Sequence, residues 1–201
     1  PLAALDESPR SGLALGLREI QRSVGGTFVH VCHNLEEALD VADRIAIIAD
    51  GAIVQVGTPE EILYRPNCLF VARFTRTRNL LSGCARPGQG GAVVALDGGG
   101  VLPSTANTSG KVVASVRPER VRVRTHDGSP GSELRGRLVR VCGKPGHVEV
   151  EVDIGAKVVA YLGHGEAKSL PALGASVALD IAPEDVCLHT DSPDSSRACE
   201  T

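Results

Sequence analysis

The sequence predicts two segments of different class, an α/β segment over residues 1–77 and a small all-β domain over 78–190, followed by a polar tail over 191–201. Three observations carry this. Before residue 78, apolar residues recur at helical spacing between short β-rich runs, whereas after it valine and glycine rise and helical periodicity stops. Two β-rich runs, Ile45–Ile48 and Ile53–Val56, flank Asp50-Gly51, a strong hairpin signal. Finally, Ser115-Val116-Arg117-Pro118-Glu119-Arg120-Val121 is echoed near the end of the β domain by Asp180-Ile181-Ala182-Pro183-Glu184-Asp185-Val186.

In order along the chain, Leu13, Leu17 and Ile20 predict a helix over 12–23, which Gly25-Gly26 ends. Residues 7–12, with Pro9 and Gly12, read as less helical. Thr27–Cys32 is nearly apolar and β-rich, the pattern of a buried parallel strand. Asn34 then caps a second helix, with Glu37 placed for a capping box and Leu35, Ala38, Leu39 and Ala42 as its apolar stripe. After the hairpin, Thr58-Pro59-Glu60-Glu61 opens another helix, with a capping hydroxyl, proline at the first position and acids in the first turn. In the β domain, Leu81-Ser82-Gly83 and Leu134-Arg135-Gly136 each begin a valine-rich stretch. With the Pro-Glu echo they predict two related half-barrels.

Composition narrows the function. The 201 residues carry a net charge of -3 and 2% aromatics, which argues against a nucleic-acid partner on both electrostatic and stacking grounds. No run reaches the roughly 18 apolar residues of a membrane span. Six cysteines are scattered without a CxxC pair, so separate reduced thiols are expected and no metal site. The chain has no Met and begins at Pro1, hence the expectation that it is part of a longer or processed product.

The chemistry-bearing stretch is Val29-His30-Val31-Cys32-His33-Asn34-Leu35-Glu36-Glu37-Ala38-Leu39. His33 falls where a strand would give way to a helix, the end of an α/β sheet at which ligands collect. An imidazole there is able to hold a terminal phosphate or orient water. This stretch resembles the switch-histidine region of ABC ATPases, and Pro1-Leu2-Ala3-Ala4-Leu5-Asp6 is similar to the end of their Walker B motif running into the D-loop. Ala42-Asp43-Arg44-Ile45, Asp50-Gly51, Gly57-Thr58-Pro59 and Ile62-Leu63-Tyr64-Arg65-Pro66 extend the likeness to about residue 80. Cys32 and Asn34 depart from the family's common Thr and Asp beside the histidine. Val116-Arg117-Pro118-Glu119 resembles the TOBE domain of importer ATPases, and Val148–Gly155 leans towards molybdate and tungstate members.

The resemblance implies the C-terminal remnant of a P-loop ATPase domain followed by an OB-like regulatory barrel. His33 would contact the ATP γ-phosphate, and Ala4, Leu5 and Asp6 would meet a second ATPase subunit in a homodimer. ATP and Mg²⁺ would be the cofactors of the intact subunit and membrane-spanning permease subunits its partners, at the cytoplasmic face of the membrane. No GxxxxGK[ST] loop and no LSGGQ-like signature occur in the 201 residues, so this chain alone is expected neither to bind nor to hydrolyse ATP. Arg117 and Lys144, the latter in the turn Gly143-Lys144-Pro145-Gly146, are candidate contacts for an oxyanion, against an ordinary surface turn. Arg120, Arg122 and Arg124 alternate with Val121 and Val123, as on a solvated strand face or an anion or subunit contact. His147 and His164 lack metal-ligand spacing. Three rivals remain: a free-standing oxyanion-binding module, an OB-type nucleic-acid binder and a non-functional remnant.

Overall fold

The computed structural model describes residues 7–125 and 134–190. It forms two compact units that divide between Arg65 and Pro66.

In the first unit, α1 (Glu7–Val24) starts earlier than the expected helix and takes in residues 7–12. Pro9 sits in its first turn, where a missing N–H removes no helical hydrogen bond. Gly25 ends the helix in the left-handed region, φ 68°, and its N–H reaches Gln21 O at 2.9 Å. The expected buried strand at 27–32 is not one. The segment is irregular, and Phe28, Val29 and Val31 are exposed. A strand exists only against a neighbouring strand, and among the described residues nothing pairs with this run.

α2 (Leu35–Val41) follows, with Asn34 Oδ1 accepting from Glu36 N at 3.0 Å. The capping box expected from Glu37 does not close, because the Glu37 carboxylate meets His30 Nε2 at 2.9 Å instead. Arg18 of α1 reaches Asp40 O and the Asp43 carboxylate on the C-terminal side of α2. β1 (Ile45–Ala49) and β2 (Ala52–Gly57) form the expected hairpin. Asp50 and Gly51 both adopt positive φ, 50° and 79°, as a type I′ turn requires. α3 (Pro59–Tyr64) opens on a complete capping box, Glu61 N to Thr58 Oγ1 at 3.2 Å and Thr58 N to Glu61 Oε2 at 2.8 Å.

The second unit begins with α4 (Leu69–Phe74), which therefore groups with the β domain although the composition changes only near residue 78. The reason lies at its C-terminal end: Arg117 Nη1, from the β domain, donates to Thr75 O at 2.9 Å. Then come β3 (Asn79–Gly88), β4 (Gly91–Leu96), β5 (Val101–Ser104), β6 (Gly110–Val116), a 3₁₀ turn at Pro118–Arg120 and β7 (Arg122–Thr125). The order repeats as β8 (Leu134–Lys144), β9 (His147–Asp153), β10 (Lys157–Leu162), β11 (Ser176–Asp180), a 3₁₀ turn at Pro183–Asp185 and β12 (Cys187–Thr190).

Among the described residues these strands make two antiparallel sheets, ordered β12-β6-β3-β4-β5 and β10-β9-β8-β11-β7. Each repeat thus contributes four strands to its own sheet and lends its fifth to the other. The Arg-Pro-Glu and Ala-Pro-Glu turns, the most similar part of the echo, are the points of exchange. Both sheets share one core, in which Val94, Leu102, Val116, Val121, Leu138 and Val150 are almost fully buried. The Leu-x-Gly signals are explained by close approach. A Cβ on Gly83 would lie 2.5 Å from Ala95 O, and one on Gly136 would lie 2.5 Å from Asp153 O. The β4–β5 and β9–β10 turns meet through Gly98 and Gly155, where neither position has room for a side chain.

Candidate functional site

His33 is exposed in the bend just before α2, next to its cap Asn34. Its neighbourhood is held by short polar links rather than by a sheet: His30 to Glu37, and the Cys32 thiol donating to Asn34 O at 3.5 Å. Burial, reinforced by the negative charge of Glu37, pushes the Cys32 thiol above its ordinary value, and the bond to Asn34 only partly offsets this. Cys32 is therefore a poor thiolate nucleophile at neutral pH, and the His33 side chain next to it is exposed. Ala4, Leu5 and Asp6 lie outside the described residues.

The candidate anion contacts are placed apart. Arg117 is engaged within the chain, Nε to Glu119 at 2.9 Å and Nη1 to Thr75 O. Lys144 is exposed at the end of β8, where it pairs with His147 across a turn with Gly146 at φ 83°. The His147 ring packs against Tyr161 in a tilted arrangement, ring centres 4.3 Å apart and planes 41° apart. Among the described residues no three His, Cys, Asp or Glu side chains converge as a metal site, and no disulfide joins the cysteines.

Two groups of residues escaped sequence reasoning. Glu149 and Glu151 point away from the core on β9, yet they are only 8% and 5% exposed. Both are matched by cations: Arg78 at 3.3 Å from Glu149, and Lys157 and Arg140 at 2.8 and 3.5 Å from Glu151. The hydrogen bond from Lys157 holds the Glu151 carboxyl below the usual carboxylate range, outweighing burial, with Arg140 and Arg78 adding to it. The second group is an arginine field. Register places Arg124 of β7 and Arg135 of β8 on either side of Ala178 in β11, and Arg137 beside Ser176. Next to it lies a shallow pocket of about 480 Å³ lined by Arg135, Arg137, Asp153 and Ser176 with Gly155 and Gly174. The alternation of Arg122 and Arg124 was legible, but their convergence with Arg135 and Arg137 depends on β11, four strands further along the chain.

With this geometry in hand, similarity to known proteins is informative. Residues 114–188 match the TOBE domain family, a span from within β6 into β12. The spermidine/putrescine import ATP-binding protein of Thermobifida fusca (strain YX) is 38% identical over 193 residues, covering 92% of this chain and 50% of that protein. The sulfate/thiosulfate import ATP-binding protein 2 of Agrobacterium fabrum (strain C58 / ATCC 33970) is 49% identical over 89 residues, 44% of this chain and 26% of that one. A solved molybdate-bound structure of the cytoplasmic molybdate-binding protein ModG aligns with a TM-score of 0.48 and 21% identity, covering 57% of this chain and 96% of that one, too slight a likeness to carry an argument. The chain spans about half the length of the curated relatives that match nearly all of it.

Proposed function

Since this chain belongs to the ATP-binding subunits of ABC importers and corresponds to their C-terminal part, we propose that it is the switch and regulatory portion of a subunit that hydrolyses ATP to drive solute uptake. The observation that carries the reading is the likeness to an importer ATPase along 92% of the chain, with His33 exposed beside the cap of α2. In this reading 1–77 is the end of an α/β ATPase domain and 78–190 an OB-like TOBE barrel. Ala4, Leu5 and Asp6 face a second subunit, and the partners are a homodimeric mate and membrane-spanning permease subunits. The subunit sits peripherally on the cytoplasmic face; no described helix is long and apolar enough to cross a membrane.

For ATP and Mg²⁺ the fit is partial. An exposed imidazole at residue 33 suits a γ-phosphate contact, but the described residues provide no carboxylate cluster for the metal. His33 therefore acts as one phosphate contact and water-orienting group within a site whose anchors belong to a P-loop segment. The cargo is a small solute. Val148–Gly155, behind the lean to molybdate and tungstate, forms β9 and its turn, where alternate valines fill the core and the intervening acids are ion-paired.

The test is ATP turnover by the full subunit assembled with its permease. His33→Ala is expected to lower turnover by roughly a hundredfold while ATP binding changes little. Unchanged turnover would reject the role. The present chain alone is expected to be inactive, and robust ATPase activity from it would overturn that part of the reading.

A further inference from the structure

Residues 30–37 form a loop that is closed at its two ends by side chains. His30 Nε2 lies 2.9 Å from Glu37 Oε1, and this bond ties the run 27–32 to the first turn of α2. Both partners are shielded, the Glu37 side chain at 12% exposure and that of His30 at 31%. An ionised carboxylate only accepts, so the imidazole donates from Nε2. Inside the loop, the Cys32 thiol donates to Asn34 O and Glu36 N donates to Asn34 Oδ1. His33 lies between these bonds, exposed at the bend. The charge of Glu37 is felt within the loop, since it helps to raise the Cys32 thiol. α2 is itself fixed from its far end, where Arg18 of α1 donates to Asp40 O at 3.1 Å and meets the Asp43 carboxylate at 3.5 Å. Glu37 thereby forgoes the reciprocal capping bond to Asn34 N–H that would have stabilised α2, so its placement serves the loop rather than the helix.

We infer that His30 and Glu37 are positioning residues for His33, their bond holding the bend that carries its imidazole in the geometry that meets a terminal phosphate. The inference rests on the proposed function, which assigns that contact to His33. Its physical basis is loop closure. A bend fixed at both ends visits far fewer conformations than the same bend held only at α2. A displacement of about 1 Å at a reacting group is enough to cost about a hundredfold in rate, so a loosened bend is felt directly in turnover. Neither His30 nor Glu37 is assigned to the phosphate itself, and opening the loop therefore costs less than removing the His33 ring. The bond uses side chains alone. It leaves the backbone N–H and C=O groups of 27–32 to a neighbouring strand, so pairing of that run does not displace it.

The experiment is steady-state ATP turnover by the full subunit assembled with its permease. His30→Ala, Glu37→Ala and Glu37→Gln are each measured alone and in a His33→Ala background. His30→Ala and Glu37→Ala are expected to lower kcat about tenfold while KM for ATP changes by less than about twofold. Glu37→Gln, whose carboxamide oxygen still accepts from Nε2, is expected to keep most of the activity. In the His33→Ala background all three changes are expected to be silent, because the group they position is gone. A further loss of about tenfold there would overturn the inference, since the pair would then act other than through His33. Unaltered kcat in Glu37→Ala beside a large loss in His33→Ala would overturn it and leave the proposed function standing. Unchanged turnover in His33→Ala would overturn both. A second measurement needs no assembly: NMR relaxation of the His33 ring in the present chain is expected to show greater mobility in Glu37→Ala than in the parent. A ring equally mobile in both would also overturn the inference.

Discussion

Asn79 is the side chain whose removal the structure makes most informative. It is fully buried at the start of β3, and its carboxamide reaches across to β10, the edge strand of the other sheet. Nδ2 donates to Val159 O at 2.8 Å, and Val159 N donates to Oδ1 at 2.7 Å. One amide thus supplies both bonds that a neighbouring strand would have made, and it closes the edge at its centre. Asn79→Ala leaves the N–H and C=O of Val159 without partners at a residue that is 2% exposed. Each orphaned group costs about 1–3 kcal/mol, so the expected loss is about 3 kcal/mol, with a small contribution from the void. For a unit of this size that is a fall in Tm of roughly 10 °C. Urea melts followed by circular dichroism measure the stability, and hydrogen exchange at Val159 tests its cause, since that amide should change from protected to fast. Asn79→Leu should not rescue, because volume is restored but neither bond is. A loss of only about 0.5 kcal/mol, the scale of an inert surface change, would refute the edge-closing role. So would a Val159 amide that stays protected.

Other outcomes follow from the same structure. His189 is buried, with Nε2 2.7 Å from Ser115 Oγ and Nδ1 unpartnered, and desolvation lowers its pKa from 6.5 to about 4. The unfolded chain therefore binds the proton first. Stability is complete above about pH 6.5, falls as pH drops towards 4 by up to about 3 kcal/mol, and then levels; His189→Gln should flatten that part of the profile in pH-dependent melts. Gly136→Ala should cost about 1–3 kcal/mol, because the added Cβ meets the Asp153 carbonyl, whereas Gly143→Ala, with open space around it, should be nearly neutral. Equal effects in chemical denaturation would disprove the close-approach argument. Thr58→Ala should cost about 1 kcal/mol by opening the capping box of α3, read as faster exchange of the Glu61 amide.

How far the sequence could be read depended on the range over which each feature is decided. Asp50-Gly51, Thr58-Pro59-Glu60-Glu61 and Gly25 were read correctly because a turn, a cap or a helix stop is settled by residues within one turn of each other. The Pro-Glu echo was legible for the same reason, as two contiguous strings. The capping box at Asn34 failed on a competitor seven residues before Glu37, outside the helix, since Glu37 found His30. The strand at 27–32 failed because a β-rich run becomes a strand only when another strand lies alongside.

By itself, then, the sequence determined the local elements, the twofold repeat of the β domain and the likeness to importer ATPases. Tertiary structure alone decided that the repeats exchange β7 and β12, that Arg117 holds the end of α4, that Asn79 closes the β10 edge and that four arginines share one face. Those outcomes depend on strand pairing between segments far apart in the chain. Pairing is selected by the burial of both sheets against one core, a property of the assembled chain that no short window contains.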